Sequence, residues 1–114
     1  MIKVNNTTWY IQKVAPNSFD LMRSDGCYTL GVTDNSVKTI YINRNLNDFM
    51  FEKVLTHEIC HVFCFEYNLE FSIDFEEKLC DFVATYGRNI FEIVDEILQK
   101  SNLKFSWNFR YRIK

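Results

Sequence analysis

Residues 49–67 read FMFEKVLTHEICHVFCFEY, a stretch without glycine or proline. Its apolar positions recur at helical spacing through Val54, Leu55, Val62 and Phe65, and Asn47-Asp48 supplies an N-cap just before it. The reading is a helix from Phe49 to about Tyr67. Inside it, His57-Glu58-Ile59-Cys60-His61 is an HExxH pattern. A helix advances about 100° per residue, so the two histidines stand about 40° apart and about 6 Å along the axis. Both rings then reach one ion at the usual Zn–N distance of about 2.0–2.1 Å. Glu58 projects beside that ion without ligating it, placed to take a proton from water and pass it to a leaving amine. The chain has only 2 histidines, and both fall in this pattern. Imidazole with carboxylate in an open tetrahedral site suits Zn²⁺.

A catalytic zinc site needs a third protein ligand and one open position. With no third histidine, the ligand is a carboxylate or a thiolate. Glu76, Glu77 and Asp81 lie on the next predicted helix. Glu77 is preferred, because Asp81 falls four residues later on the same face and can hold a ligand histidine through its ring N–H. Glu76 stays open as the alternative, about 100° away and without such a partner. Asp74 to Glu77 is also a capping-box spacing, which would turn Glu77 back onto the helix end. Cys64 is a thiolate alternative, seven residues from His57 on nearly the same side. Otherwise it reads, like Cys27, Cys60 and Cys80, as a small buried hydrophobe.

Working outward, the N-terminal third reads as strands. Thr8–Val14 is rich in β-formers and ends in a turn at Ala15-Pro16-Asn17. Cys27–Thr33 and Val37–Asn43 are two more, joined at Asp34-Asn35-Ser36 as a hairpin. After the HExxH helix and a connection over Asn68–Ile73, Asp74 is expected to cap a helix running to about Tyr86. Gly87 is expected to end or interrupt it. Asn89–Lys100 then reads as a separate helix with Ile90, Ile93, Val94, Ile97 and Leu98 as a buried stripe. From Lys104 the chain alternates, with Phe105, Trp107, Phe109, Tyr111 and Ile113 on one face and basic or polar residues on the other. That is a half-buried strand or extended arm rather than a single-strand nucleic-acid platform. Strands followed by helices make an α+β domain, here a three-stranded antiparallel or mixed sheet packed on the HExxH helix.

The chain of 114 residues suits one domain, with 47% hydrophobic and 17% aromatic residues to fill a core. A net charge of -2 argues against direct nucleic-acid binding by the whole molecule. No apolar run has the length of a signal peptide core or a membrane span, so the expected location is cytoplasmic, with the 4 cysteines reduced.

Two motifs together resemble the ImmA/IrrE family of small zinc metallopeptidases, including short members from phages and mobile elements. One is His57-Glu58-Ile59-Cys60-His61-Val62. The other is Glu77-Lys78-Leu79-Cys80-Asp81-Phe82-Val83-Ala84, similar to the family's E-x-x-A-[ND]-x-F-A, with Cys80 for the small residue and Val83 for the phenylalanine. The family's Leu-Leu-Met-Pro tail is absent, and Gly87 falls near its place. The resemblance covers about residues 27–98. It implies a gluzincin-like core with His57, His61 and Glu77 as zinc ligands, Glu58 as base, and Asp81 holding a ligand. It also implies an endopeptidase, often acting on a helix-turn-helix repressor encoded nearby.

Two functions follow. As an enzyme, the chain would bind a peptide in extended form along a sheet edge and cleave it. As a non-catalytic zinc-containing interaction module, it would bind a partner through the sheet edge and tail. Glu58 weighs against the second, since a structural zinc is usually closed by four ligands and needs no free carboxylate beside it. Tyr67, Tyr86 and Arg88 are the donors the sequence offers for a developing oxyanion, and no pattern singles one out.

Overall fold

A computed structural model describes residues 1–101. The elements run β1 (Ile2–Val4), β2 (Thr7–Val14), a 3₁₀ turn at Phe19–Leu21, β3 (Gly31–Asp34), β4 (Thr39–Asn43), α1 (Asp48–Glu66) and α2 (Ile73–Ser101). The class is α+β as expected, but the sheet has four strands in the order β1-β2-β4-β3. The additional strand is β1, which pairs antiparallel with β2 in the register Ile2↔Trp9 and Val4↔Thr7. Its turn is Asn5-Asn6, with φ of 48° and 66°. A two-residue hairpin turn with both residues left-handed follows the twist of its strands, and asparagine tolerates that region. The sheet is mixed: β2 runs parallel to β4, and β3 runs antiparallel to β4.

One face of the sheet packs on α1. Val4, Trp9, Ile40, Ile42 and Val62 form the buried cluster, with Val54, Leu55 and Ile59 of α1 against it. The start of α1 is capped as its sequence predicts, the Asn47 side chain accepting from the Met50 N–H at 2.8 Å. Its end is a Schellman closure. Asn68 takes φ 52°, its N–H reaches the Phe65 carbonyl, and the Leu69 N–H reaches the Cys64 carbonyl. That tight stop returns the chain so that α2 packs along α1.

The expected break at Gly87 does not occur, and Ile73–Ser101 is one continuous helix. Glycine in a helix interior costs about 1 kcal/mol relative to alanine, too little by itself to end a helix of 29 residues. Asp74 is not the cap either. Ser72 does that work, its hydroxyl accepting from the Phe75 N–H at 3.1 Å. The stripe expected to be buried is not covered among the described residues, where Ile90, Ile93 and Ile97 are 43%, 50% and 52% exposed. The alternating segment from Phe105 to Ile113 lies outside the described residues.

Candidate active site

The site forms where α1, α2 and the edge strand β3 meet. His57 and His61 stand one turn apart on α1, with their Nε2 atoms 3.2 Å from each other. Glu77 of α2 faces both, one carboxylate oxygen 3.0 Å from His61 Nε2 and the other 3.2 Å from His57 Nε2. Glu77 therefore does not cap its own helix. Two donors about 2.05 Å from a tetrahedral zinc stand about 3.3 Å apart, so these spacings fit one such ion.

The two Nδ1 atoms make the case stronger. His57 Nδ1 is 2.8 Å from Asp81 and His61 Nδ1 is 2.6 Å from Glu76. A carboxylate at Nδ1 keeps the ring proton there and turns the Nε2 lone pair outward. Two such lone pairs and a carboxylate converging within hydrogen-bond distance repel one another unless a cation sits among them. His57, His61 and Glu77 are thus a group able to hold a metal ion. Glu77 is 52% exposed while the histidines are mostly covered, so the site opens to solvent on the α2 side.

Glu58 points from α1 toward β3, not toward α2. One carboxylate oxygen accepts from the Thr33 hydroxyl at 2.7 Å, and the other lies 4.0 Å from His57 Nε2. Burial pushes the Glu58 carboxyl above its usual range, and the Thr33 hydrogen bond and the two histidines only partly offset that. A carboxylate made more basic and held next to, but outside, the donor triangle is suited to accept a proton.

Gly31 explains how the strand comes this close. A Cβ there would stand 2.6 Å from a methyl of Val54 and 3.1 Å from the Glu58 Cγ. Gly31 and Thr33 turn their side-chain face to α1. The Asn43 N–H donates to the Leu30 carbonyl, which fixes the alternation along β3 and β4. Gly31 and Thr33 consequently turn their main-chain N–H and C=O to the free edge. A cleft of about 610 Å³ runs along it, lined among others by Arg23, Val32, His61, Phe65 and Glu77.

The structure brings together His57, Glu58, His61, Glu77 and Asp81, all singled out from the sequence. Glu76, the alternative ligand, lies on His61 Nδ1 instead, a role the sequence reading gave it no partner for. Thr33, Gly31 and Arg23 were not foreseen. Thr33 and Gly31 come from a strand whose register against the helix no local spacing encodes. Cys64 does not join the histidines. It gathers with Cys60 and Cys80 between the helices, where burial pushes its thiol up to about 11. Cys27, expected buried, is exposed. Arg88 pairs with Glu52 on the surface, and neither it nor Tyr67 nor Tyr86 lines the cleft.

Residues 13–91 match the family of IrrE N-terminal-like domains, peptidase family M78. The chain belongs to this family. No curated protein and no solved structure matches it. The IrrE-like region runs from the last residues of β2 into the second half of α2, and so takes in every residue of the cleft named above. Membership makes a peptidase the frame for the site, with a protein as substrate. Among the described residues no helix is long and apolar enough to cross a membrane.

Proposed function

We propose that this chain is a zinc-dependent endopeptidase that cleaves a peptide bond in an extended segment of a protein. One observation carries the reading: the base and the metal donors are separate but adjacent, with Glu58 tied to β3 and Glu77 closing the histidine pair from α2. His57, His61 and Glu77 would hold the zinc ion, which when bound would supply Lewis acidity for a peptide carbonyl and for an attacking water near neutral pH.

The chain's own residues supply the rest. The free edge of β3 pairs with substrate main chain through Gly31 and Thr33, laying the scissile bond across the histidines. Glu58, oriented by Thr33, accepts the proton of the attacking water and delivers it to the departing nitrogen. Asp81 and Glu76 keep both rings in the tautomer that presents Nε2. Arg23 lines the cleft wall, a positive group available to an extended substrate's carbonyls. The substrate suggested by kinship is a helix-turn-helix repressor of a mobile element, met in the cytoplasm.

The test pairs two variants of the full chain. Zinc by elemental analysis should be near one per chain in wild type and in Glu58→Gln, and should fall sharply in Glu77→Ala. Cleavage of an unfolded protein, or of a co-encoded repressor, should drop about 10²–10⁴-fold in Glu58→Gln, the usual weight of a general base. Full activity in that variant would sink the mechanism. Metal without activity in the wild type would favour the interaction-module reading.

A further inference from the structure

Cys60, Cys64 and Cys80 converge at the α1–α2 interface, their sulfurs all within 4.8 Å of one another. Two come from successive turns of α1 and the third from the facing turn of α2. Cys64 and Cys80 are buried and Cys60 is partly covered. The peptidase reading uses none of them. Packing alone asks for small residues here, and alanine would serve as well. Three sulfurs gathered within 4.8 Å of one another is a different arrangement, because a thiolate is a soft ligand that selects thiophilic ions over hard ones.

We propose that Cys60, Cys64 and Cys80 form a second metal site, distinct from the histidine site, that takes a thiophilic ion and Cu(I) above all. Three sulfurs about 2.3 Å from a central ion in a trigonal plane stand about 4.0 Å apart. The sulfurs, all within 4.8 Å of one another, come to that spacing by small rotations about the Cα–Cβ bonds. Structural zinc sites are closed by four protein ligands. Among the described residues this cluster has three members and no fourth, which fits a three-coordinate monovalent ion better than Zn²⁺. Burial, and to a lesser degree the Glu76 carboxylate, raises the Cys64 and Cys80 thiols, so these thiols ionise only as an ion binds, and the Glu76 charge favours a cation between the helices. Each thiol that ligates releases its proton to solvent, and no electron is transferred.

The experiment is an anaerobic titration of the reduced, metal-stripped full chain with Cu(I) held by a coloured competing chelator. Wild type, Cys27→Ser and the double variant His57→Ala/His61→Ala should each withdraw one Cu(I) per chain. Cys60→Ser and Cys64→Ala should bind it roughly 100-fold more weakly, having lost one of three sulfur ligands. Equal binding by wild type and both cysteine variants would overturn the site. So would binding lost with the histidines and kept in Cys64→Ala, which would place the ion in the peptidase centre. Circular dichroism shows whether each variant is folded. Should the cysteine variants unfold, X-ray absorption of copper-loaded wild type decides alone: three sulfur neighbours support the site, and nitrogen neighbours refute it. Failure here leaves the zinc peptidase reading untouched, since that reading is scored on zinc and on cleavage.

Discussion

Glu76 and Glu77 are adjacent in sequence and point to different atoms of the histidine pair. Glu77 faces both Nε2 atoms, whereas Glu76 lies 2.6 Å from His61 Nδ1. The spacing of His57, Glu58 and His61 was legible because one helix holds all three, and helical geometry is fixed. The choice of Glu77 over Glu76 rested on Asp81 being one turn on, and the structure does place both of them on His57. The role of Glu76 was not legible, because it depends on where two helices cross, which neither helix encodes alone. An expected outcome follows from the difference in cover. Asp81 is 73% exposed and Glu76 is 19% exposed, so water replaces the first more readily than the second. Removing a partner of a ligand histidine typically weakens metal binding about 10–100-fold. Glu76→Gln should sit at the high end and Asp81→Asn at the low end, measured by zinc competition against a fluorescent chelator. Equal losses would contradict the assignment of Glu76 to His61.

At the level of elements, β3 is the piece whose position matters most to chemistry. Its approach to α1 depends on Gly31 having no side chain. Gly31→Ala forces Val54, Glu58 or the strand to shift, and overpacking of this kind costs about 1–3 kcal/mol. The expected result is an unchanged zinc content with kcat/KM lowered by about tenfold or more, since a base displaced by a fraction of an ångström loses its alignment. Wild-type kcat/KM in that variant would show that Glu58 is not positioned by β3. The sequence predicted the strands of this sheet except β1, whose Asn5-Asn6 turn is a weaker signal than a glycine-containing one. It also broke α2 at Gly87, where the helix simply continues. Both errors come from punctuation residues, whose local preference is small against the packing or pattern on either side.

For the molecule as a whole, Glu66 joins the sheet to the end of α1. Its carboxylate accepts from the Trp9 indole at 2.8 Å and from Lys38 Nζ at 3.0 Å, while its main-chain carbonyl accepts from the Asn5 side chain. The hydrogen bonds from Lys38 and Trp9 hold the Glu66 carboxyl below its ordinary value of 4.5. The folded state therefore binds that proton more weakly than the unfolded state. The stability it confers is complete above the ordinary value and is lost as pH falls through the lowered one. Glu66→Gln should melt at a lower temperature than wild type at pH 7, and the gap should narrow on acidification below about pH 4. A gap constant from pH 7 to pH 3 would mean the carboxylate charge is not what ties sheet to helix. The placement of α2 has a temporal consequence as well. A ribosome makes the sheet and α1 before Glu76, Glu77 and Asp81 exist, so a growing chain carries Thr33 and Glu58 but only two of the three residues that could hold a metal ion. If zinc loading waits for Glu77, the nascent polypeptide stays inert beside the other unfolded chains around it, and cutting begins only after most of the molecule has left the exit tunnel.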